Sequence, residues 1–404
     1  MTDLYKYFNT YLAYLKKTGL YPTLHTIVGP SSFPEIIIEG KRFLTFSSNN
    51  YLGLAGNDLV KAATIEGIKK YGVGSGSTRL LSGTLDVQVE FESRLAKYLE
   101  RDTSITFSSG YLANAGVIRM LVDPFPYFTF SSEESGVIIS DALNHASIID
   151  GVRLSRAERA VFRHKDMNHL EDLLKHYPKK RKLIITDGVF SMDGDIAPLK
   201  EIAELGEQYD AFTMIDDAHG TGVVGPKGRG TAHMLGVQDK ISVVMGSFTK
   251  AFGSIGGFIG VNSILDEYLR ITTRSYIFSD PIIPAVVVGL METLRIIEEG
   301  DNLREKVLHN AEYLRSELRA LGYTVLGHDT SIVPVFIGSE EKAIRFADEL
   351  YKSGILAPCI RRPAVEEGGE RIRISVMATH EKKHLDALLE RFVVLGKKLG
   401  LITG

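Results

Sequence analysis

The sequence has 404 residues, 44% of them hydrophobic and 24% charged, with a formal net charge of −3. Those values fit a globular enzyme with two or three structural units and a sizeable core, and they offer no basic footprint for nucleic acid. The single cysteine, Cys359, excludes an internal disulfide and fits a reducing compartment.

The first 20 residues, MTDLYKYFNTYLAYLKKTGL, carry an early aspartate and scattered lysines in place of an unbroken apolar run. They read as an amphipathic helix expected to pack on the protein, and with no targeting signal evident the expected location is the cytoplasm. A helix and an extended segment fill 1–57, a large domain 58–288 and a smaller C-terminal α/β domain 289–404. Strands are expected at 104–107, 137–140, 183–186, 212–215, 242–246 and 258–261, and in the smaller domain at 331–337 and 371–376. Their alternation with helical patterns predicts an α/β fold with a mostly parallel sheet covered by helices on both faces. In such sheets, ligands sit beyond the carboxyl ends of the strands.

Four segments place chemistry at those ends. In TSITFSSGYLANAGVIRML (103–121) a strand gives way to Ser108, Ser109 and Gly110, and a helix opens at Tyr111. That turn aims backbone N–H groups and the positive end of a helix dipole at one spot, which suits phosphate. It is no nucleotide P-loop, because G-x-x-x-x-G-K-[ST] is missing. In GVIISDALNHASIIDGVRLS (136–155) His145 follows a strand and can lie flat on an aromatic ring. FRHKDMNHLEDLLKH (162–176), rich in His and acidic residues, resembles a metal site only superficially; its apolar Met167, Leu170, Leu173 and Leu174 point to a surface helix. AFTMIDDAHGTGVVG (211–225) sets Asp216, Asp217 and His219 at a strand end, as a counter-charge for a protonated ring nitrogen, a capped turn or a metal site. ISVVMGSFTKAFGSIGGFIGV (241–261) then supplies Lys250, whose amine, partly desolvated, is suited to Schiff-base chemistry, a role foreign to a metal ligand. The apolar stretch 281–291 is too short to span a bilayer, and 361–370 reads as a loop. A lysine, a carboxylate, two histidines and an anion-binding turn together fit pyridoxal 5′-phosphate.

With SSNNYLGL (47–54), GSGSTRLLSGTLDVQVEFE (74–92), TDGVFSMDGDIAPL (186–199), IDDAHGTGVVG (215–225), GSFTKAFGSIGG (246–257) and RIRISVMATH (371–380) in this order, the chain resembles the α-oxoamine synthases. These are pyridoxal-phosphate enzymes of the aspartate-aminotransferase-like fold, and the likeness is nearest the 8-amino-7-oxononanoate synthase and glycine C-acetyltransferase types. The resemblance implies a decarboxylative condensation of a small amino acid (glycine, alanine or serine) with an acyl-CoA, giving an α-aminoketone. It implies that Lys250 holds the cofactor and moves the substrate α-proton, while Asp216 pairs with the ring nitrogen. His219 and Ser191 would bond the ring hydroxyl, and His145 would stack on the ring. Ser109, Gly110, Tyr111 and Ser247 would hold the phosphate, and Asn50 and Arg373 the substrate carboxylate. It further implies a homodimer with active sites between subunits; from the residues and the charge alone, no metal, nucleic acid or membrane span is expected.

Three departures stand out. Ser247 replaces a usual threonine, Gln88 replaces a frequent histidine, and YIFSDPIIPA (276–285) lacks the form that reaches a neighbouring subunit's phosphate. Serine palmitoyltransferase and 5-aminolevulinate synthase types, an aminotransferase or lyase on the same fold, and a catalytically silent subunit are the competing expectations.

Overall fold

A computed structural model of the chain describes residues 3–21, 23–123 and 135–402. Its centre is a seven-stranded sheet: β1 Thr103–Phe107, β2 Val137–Asp141, β3 Glu158–Phe162, β4 Lys182–Asp187, β5 Ala211–Asp216, β6 Val243–Ser247 and β7 Gly257–Val261. Across the sheet they lie in the order β1-β7-β6-β5-β4-β2-β3. The pairs from β6 to β3 are parallel, and β7 runs antiparallel to both its neighbours. The sheet is therefore mostly parallel, and the reason is compositional. Central strands rich in Ile, Val and Leu bury both faces, as a parallel sheet covered by helices requires.

Helices Gly110–Val122 and Ala146–Leu154 seal one face over Ile105, Ile138, Leu183 and Met214. Met167–His176 and Leu199–Gln208 seal the other over Ile139, Ile184 and Ile215. The first helix pair touches closely because Gly151 lacks a side chain; a Cβ there would stand 2.7 Å from Ile118 Cδ1 and 2.9 Å from the Asn114 carbonyl oxygen. Strand β3 is absent from the sequence expectations. Its sequence, ERAVF, is charged at the start and buries only its third and fifth residues, as befits a sheet edge.

The C-terminal region carries an antiparallel three-stranded sheet, in which Arg371–Ser375 lies between Ile332–Phe336 and Cys359–Ile360. Helices Asp301–Ala320, Glu340–Lys352 and Lys382–Lys398 pack with it. The N-terminal hairpin Glu35–Ile38/Lys41–Thr45 joins this region through parallel pairing of Leu44 and Thr45 with Ile355 and Leu356. Beyond the hairpin, the Phe46 carbonyl accepts from Ser375 N–H (2.7 Å) and the Tyr51 carbonyl from Ala378 N–H (2.6 Å), which threads 46–51 over the sheet ends.

Helix Asp3–Lys17 departs from expectation. None of its residues is buried, and Leu4, Tyr5, Tyr7, Phe8, Tyr11 and Tyr14 are exposed, so nothing among the described residues covers its apolar side. Among the described residues, no helix is long and apolar enough to cross a membrane.

Candidate active site

Strands β4 and β5 end side by side, with Asp187 opposite Asp216 in register. Asp216 accepts hydrogen bonds from the Asn114 amide (2.7 Å, Oδ2) and from Ala218 N–H (3.1 Å, Oδ1). Asp187 is buried and accepts from His145 N–H at 3.1 Å. Burial, and then the neighbouring Asp216 charge, push its carboxyl well above the usual range.

Lys250 follows the end of β6 and is partly buried. Desolvation lowers its pKa to about 8; Arg373 acts in the same direction and Asp216 opposes it. Its Nζ stands 2.7 Å from His219 Nε2. Burial, with the charges of Lys250 and Arg373, holds His219 well below the usual imidazole range, so this ring is neutral. On its far side, His219 Nδ1 meets the Tyr51 hydroxyl at 2.6 Å, and that hydroxyl donates to Asn49 Oδ1 at 3.2 Å. With one N–H on a neutral ring, the donors read in one sense: Lys250 to His219, His219 to Tyr51, Tyr51 to Asn49.

Helix Gly110–Val122 opens toward the same space. The Ser109 hydroxyl caps it by accepting from Leu112 N–H at 3.1 Å. As first-turn residues, Gly110 and Tyr111 carry N–H groups that no carbonyl of their own helix can accept. A Cβ on Gly110 would stand 3.4 Å from Ser247 Cβ, projecting into the gap between helix and strand, and one on Gly257 would come within 2.5 Å of Gly110 N. Ser247 Oγ and Thr249 Oγ1 are 2.7 Å apart. His145 is steadied by Ser147, whose hydroxyl lies 2.7 Å from Nδ1 and itself accepts from the Asn114 amide at 2.9 Å. Burial lowers the His145 pKa, Asp216 opposes that and Lys250 reinforces it.

One cavity of about 270 Å³ is lined by Ser109, Gly110, Tyr111, His145, Ser191, Asp216, His219, Ser247 and Lys250. Those nine residues were all singled out in the sequence. Arg373 stands just behind: its Nε donates to the Ser191 carbonyl, and one terminal nitrogen donates to Ser375 Oγ at 2.7 Å. Asn50 is turned elsewhere, donating to the Ser32 carbonyl (3.0 Å) and accepting from Ala55 N–H (3.2 Å). Its neighbour Asn49 is the one whose Oδ1 faces Arg373, at 3.4 Å from both terminal nitrogens. Sequence reasoning also passed over Asp187, Asn114, Ser147, Tyr51 and Thr249. Asp187 was findable, because it ends a buried strand as Asp216 does. The others carry no pattern that singles them out.

The stretch 276–285 makes its contacts within this chain, beside the turn that precedes helix Gly110–Val122. Ser108 Oγ donates to the Asp280 backbone carbonyl, and the buried Gln88 amide donates to the Ile282 carbonyl at 3.2 Å. Two of the departures from the family pattern, Gln88 and 276–285, are thus in contact with each other.

Against this geometry, the comparisons with known proteins agree. The family model for aminotransferase class I and II matches residues 41–392. The chain is 43% identical over 403 residues to 8-amino-7-oxononanoate synthase of Petrotoga mobilis, covering 99% of this chain and 100% of the relative. It is 43% identical over 390 residues to the enzyme so named from Thermoanaerobacter pseudethanolicus, covering 96% of each. A serine palmitoyltransferase structure with a pyridoxal phosphate internal aldimine superposes with a TM-score of 0.92 at 31% identity, covering 99% of this chain and 100% of that one. An 8-amino-7-oxononanoate synthase from Francisella tularensis superposes with a TM-score of 0.75 at 26% identity, over 89% and 98%. The chain belongs to the aminotransferase class I and II family and, within it, to the α-oxoamine synthases.

Proposed function

We propose that this chain is a pyridoxal 5′-phosphate-dependent acyltransferase that condenses a small amino acid with an acyl-CoA thioester, releasing coenzyme A and carbon dioxide and leaving an α-aminoketone. The observation that carries this reading is the Lys250 amine, brought to a pKa of about 8 and held 2.7 Å from neutral His219 in a cavity that also holds Asp216 and a helix N-terminus. The donor set fits the cofactor group by group. An amine suits the aldehyde, a carboxylate the ring nitrogen, an imidazole the ring face, and first-turn N–H groups with Ser247 the phosphate. When bound, the cofactor supplies an aldehyde carbon and a ring that takes up negative charge.

The protein supplies the rest. Lys250 Nζ holds the cofactor and then takes up and returns the proton at the substrate α-carbon. Asp216, fixed by Asn114 and Ala218, is the counter-charge. His145 faces the cavity with its ring orientation set by Ser147, Ser191 offers a hydroxyl hydrogen to the ring substituents, and His219 presents its Nε2 lone pair to the same space. Arg373, with Asn49 beside its terminal nitrogens, directs the substrate carboxylate.

The relatives' name describes the chemistry they perform. In 8-amino-7-oxononanoate, carbons 8 and 9 with the amine are alanine without its carboxyl, and the remaining seven carbons are an acyl group ending in a carboxylate. Alanine and a seven-carbon acyl-CoA are therefore the preferred pair. The closer superposition on serine palmitoyltransferase favours serine with a long acyl chain as the second reading. A matrix crossing glycine, alanine and serine with acyl-CoAs of rising length, read by thiol release, separates the two. No thiol release with any pair sinks both. The exposed helix Asp3–Lys17, with exposed Leu80, Leu81 and Phe278, supports a homodimer in which a second copy covers them; its mass in solution tests that.

A further inference from the structure

His164 belongs to the His- and acid-rich stretch that the catalytic reading leaves unused, and its place in the fold is specific. Its Nδ1 lies 3.0 Å from Asp141 Oδ1 and its Nε2 lies 3.1 Å from Asp195 Oδ2. Asp141 is the last residue of β2, four positions before His145; Asp195 is four positions after Ser191. The ring also stands edge-on to Phe190, the residue before Ser191, with centroids 4.4 Å apart at 90°. We propose that His164 is a positioning residue for the condensation, a strut that ties the loop carrying His145 to the loop carrying Ser191 and so fixes both against the cofactor cavity.

The chemistry of the bridge supports this. A neutral imidazole carries one N–H, so it donates to one carboxylate and presents a lone pair to the other. Two carboxylates at hydrogen-bond distance on opposite nitrogens require the ring to carry both protons. Burial works against that charge, but bonds to Asp141 and Asp195 outweigh it and lift the pKa to about 9. Burial likewise opposes the Asp195 charge, and His164 and Lys165 hold that carboxyl below the usual range.

The groups facing the bridge from each side are few. The Asp141 carboxylate also accepts from the Leu143 and Lys165 backbone N–H groups, at 2.9 and 3.0 Å. Lys165 Nζ lies 2.9 Å from Asp195 Oδ2. Arg163 is engaged with Asp166. Asn144 and His145 are bonded to the end of β4 at Ile185 and Asp187; the pairing His164–Asp195, with Lys165 beside it, carries the tie onward to the far side of the Ser191 loop. Because its folded pKa is raised, the bridge's contribution to stability is full below the ordinary imidazole value of about 6.5, and the doubly protonated bridge is lost as pH rises through about 9.

The proposal rests on the cofactor-dependent reading, and the test keeps the two separable. The parent holoenzyme is first checked for a borohydride-stable label on Lys250; its absence overturns the reading of the site and the strut with it. His164→Gln is then expected to lower kcat at least about tenfold while KM for the amino acid moves less than about threefold. The same variant should change the circular dichroism of the bound cofactor, which reports how the ring is held. An unchanged cofactor signal with kcat within about twofold of the parent overturns the strut.

Should His164→Gln not fold, Asp195→Asn and Asp195→Leu decide, since both remove the same charge but only Asn can still bond the ring. Asn is expected to keep kcat within about threefold and retain the cofactor signal to higher pH than the parent does, whereas Leu loses about tenfold. Equal behaviour of the two substitutions overturns the proposal.

Discussion

Two buried charge clusters sit in this molecule, and they are built on opposite principles. Around Glu92, every group is answered. Its carboxylate takes both terminal nitrogens of Arg79 (2.9 and 3.0 Å), one of Arg270 (3.2 Å), and the Thr106 hydroxyl and N–H (2.7 and 3.0 Å). The two guanidinium groups also flank the Tyr276 ring. Burial opposes the Glu92 charge, but the arginines outweigh it and hold the carboxyl below its usual range. In the cavity the balance is reversed. Asp187 is pushed up, Lys250 and His219 are pushed down, and each shift favours the uncharged form. A cluster that closes a structural junction is quenched, whereas one that moves protons is left poised near neutral pH.

Removing a member from each cluster gives the sharpest contrast. Lys250→Ala should lower turnover by on the order of 10⁴, the upper range for a positioned acid–base group, and abolish the visible cofactor band. Coenzyme A release against time measures it, and a loss of less than tenfold means that another amine does the work. Glu92→Gln should act on the fold instead. Leaving buried Arg79 short of its counter-charge, while Arg270 keeps Asp266, costs about 3–5 kcal/mol of stability, read by urea unfolding. Turnover per folded molecule should stay within about threefold. If Glu92→Gln costs under 1 kcal/mol, full pairing is not what holds that junction.

The pH dependence sharpens the difference further. An amine with a pKa of about 8 has a neutral fraction that rises about tenfold per pH unit well below that point, reaches one half at it and nears completeness above about 9. The rate at which apo-protein captures pyridoxal 5′-phosphate, followed by absorbance, should therefore rise about tenfold from pH 6 to 7, bend over through a midpoint near 8 and level above about 9. A midpoint above 10 would mean that the cavity does not desolvate Lys250.

Much of the cavity was legible because the same residues serve two purposes. Apolar runs that bury both faces announce the central strands, and polar residues where those runs stop announce the site. Asp216, Lys250 and the Ser109–Gly110 turn all follow from that rule. What escaped lacked the signal. Strand β3 and the hairpin Glu35–Ile38/Lys41–Thr45 alternate exposed with buried residues, and charge interrupts their apolar pattern. Asn49 and Asn50 are identical neighbours, and only the backbone between the two sheets decides which of them turns toward Arg373. The bridge from His164 to Asp141 and Asp195 joins residues 23 and 31 positions apart on three different elements, which no local pattern encodes.

The contact between Tyr51 and His219 spans 168 positions and offers the finest test of the poised cluster. Tyr51 is fully buried, and burial raises the pKa of its hydroxyl, so it stays protonated across the working range and acts by hydrogen bonding alone. Tyr51→Phe keeps the ring and its packing while leaving the His219 Nδ1–H without an acceptor. An unpaired buried donor costs about 1–3 kcal/mol. Part of that cost falls on the ground state and does not reach the rate. We therefore expect kcat/KM to fall only about fivefold, with the midpoint for cofactor capture shifted because His219 can now turn its proton toward Lys250. A rate and a midpoint both equal to the parent's would show that His219 holds its tautomer without Tyr51, and that the poise of Lys250 comes from burial alone.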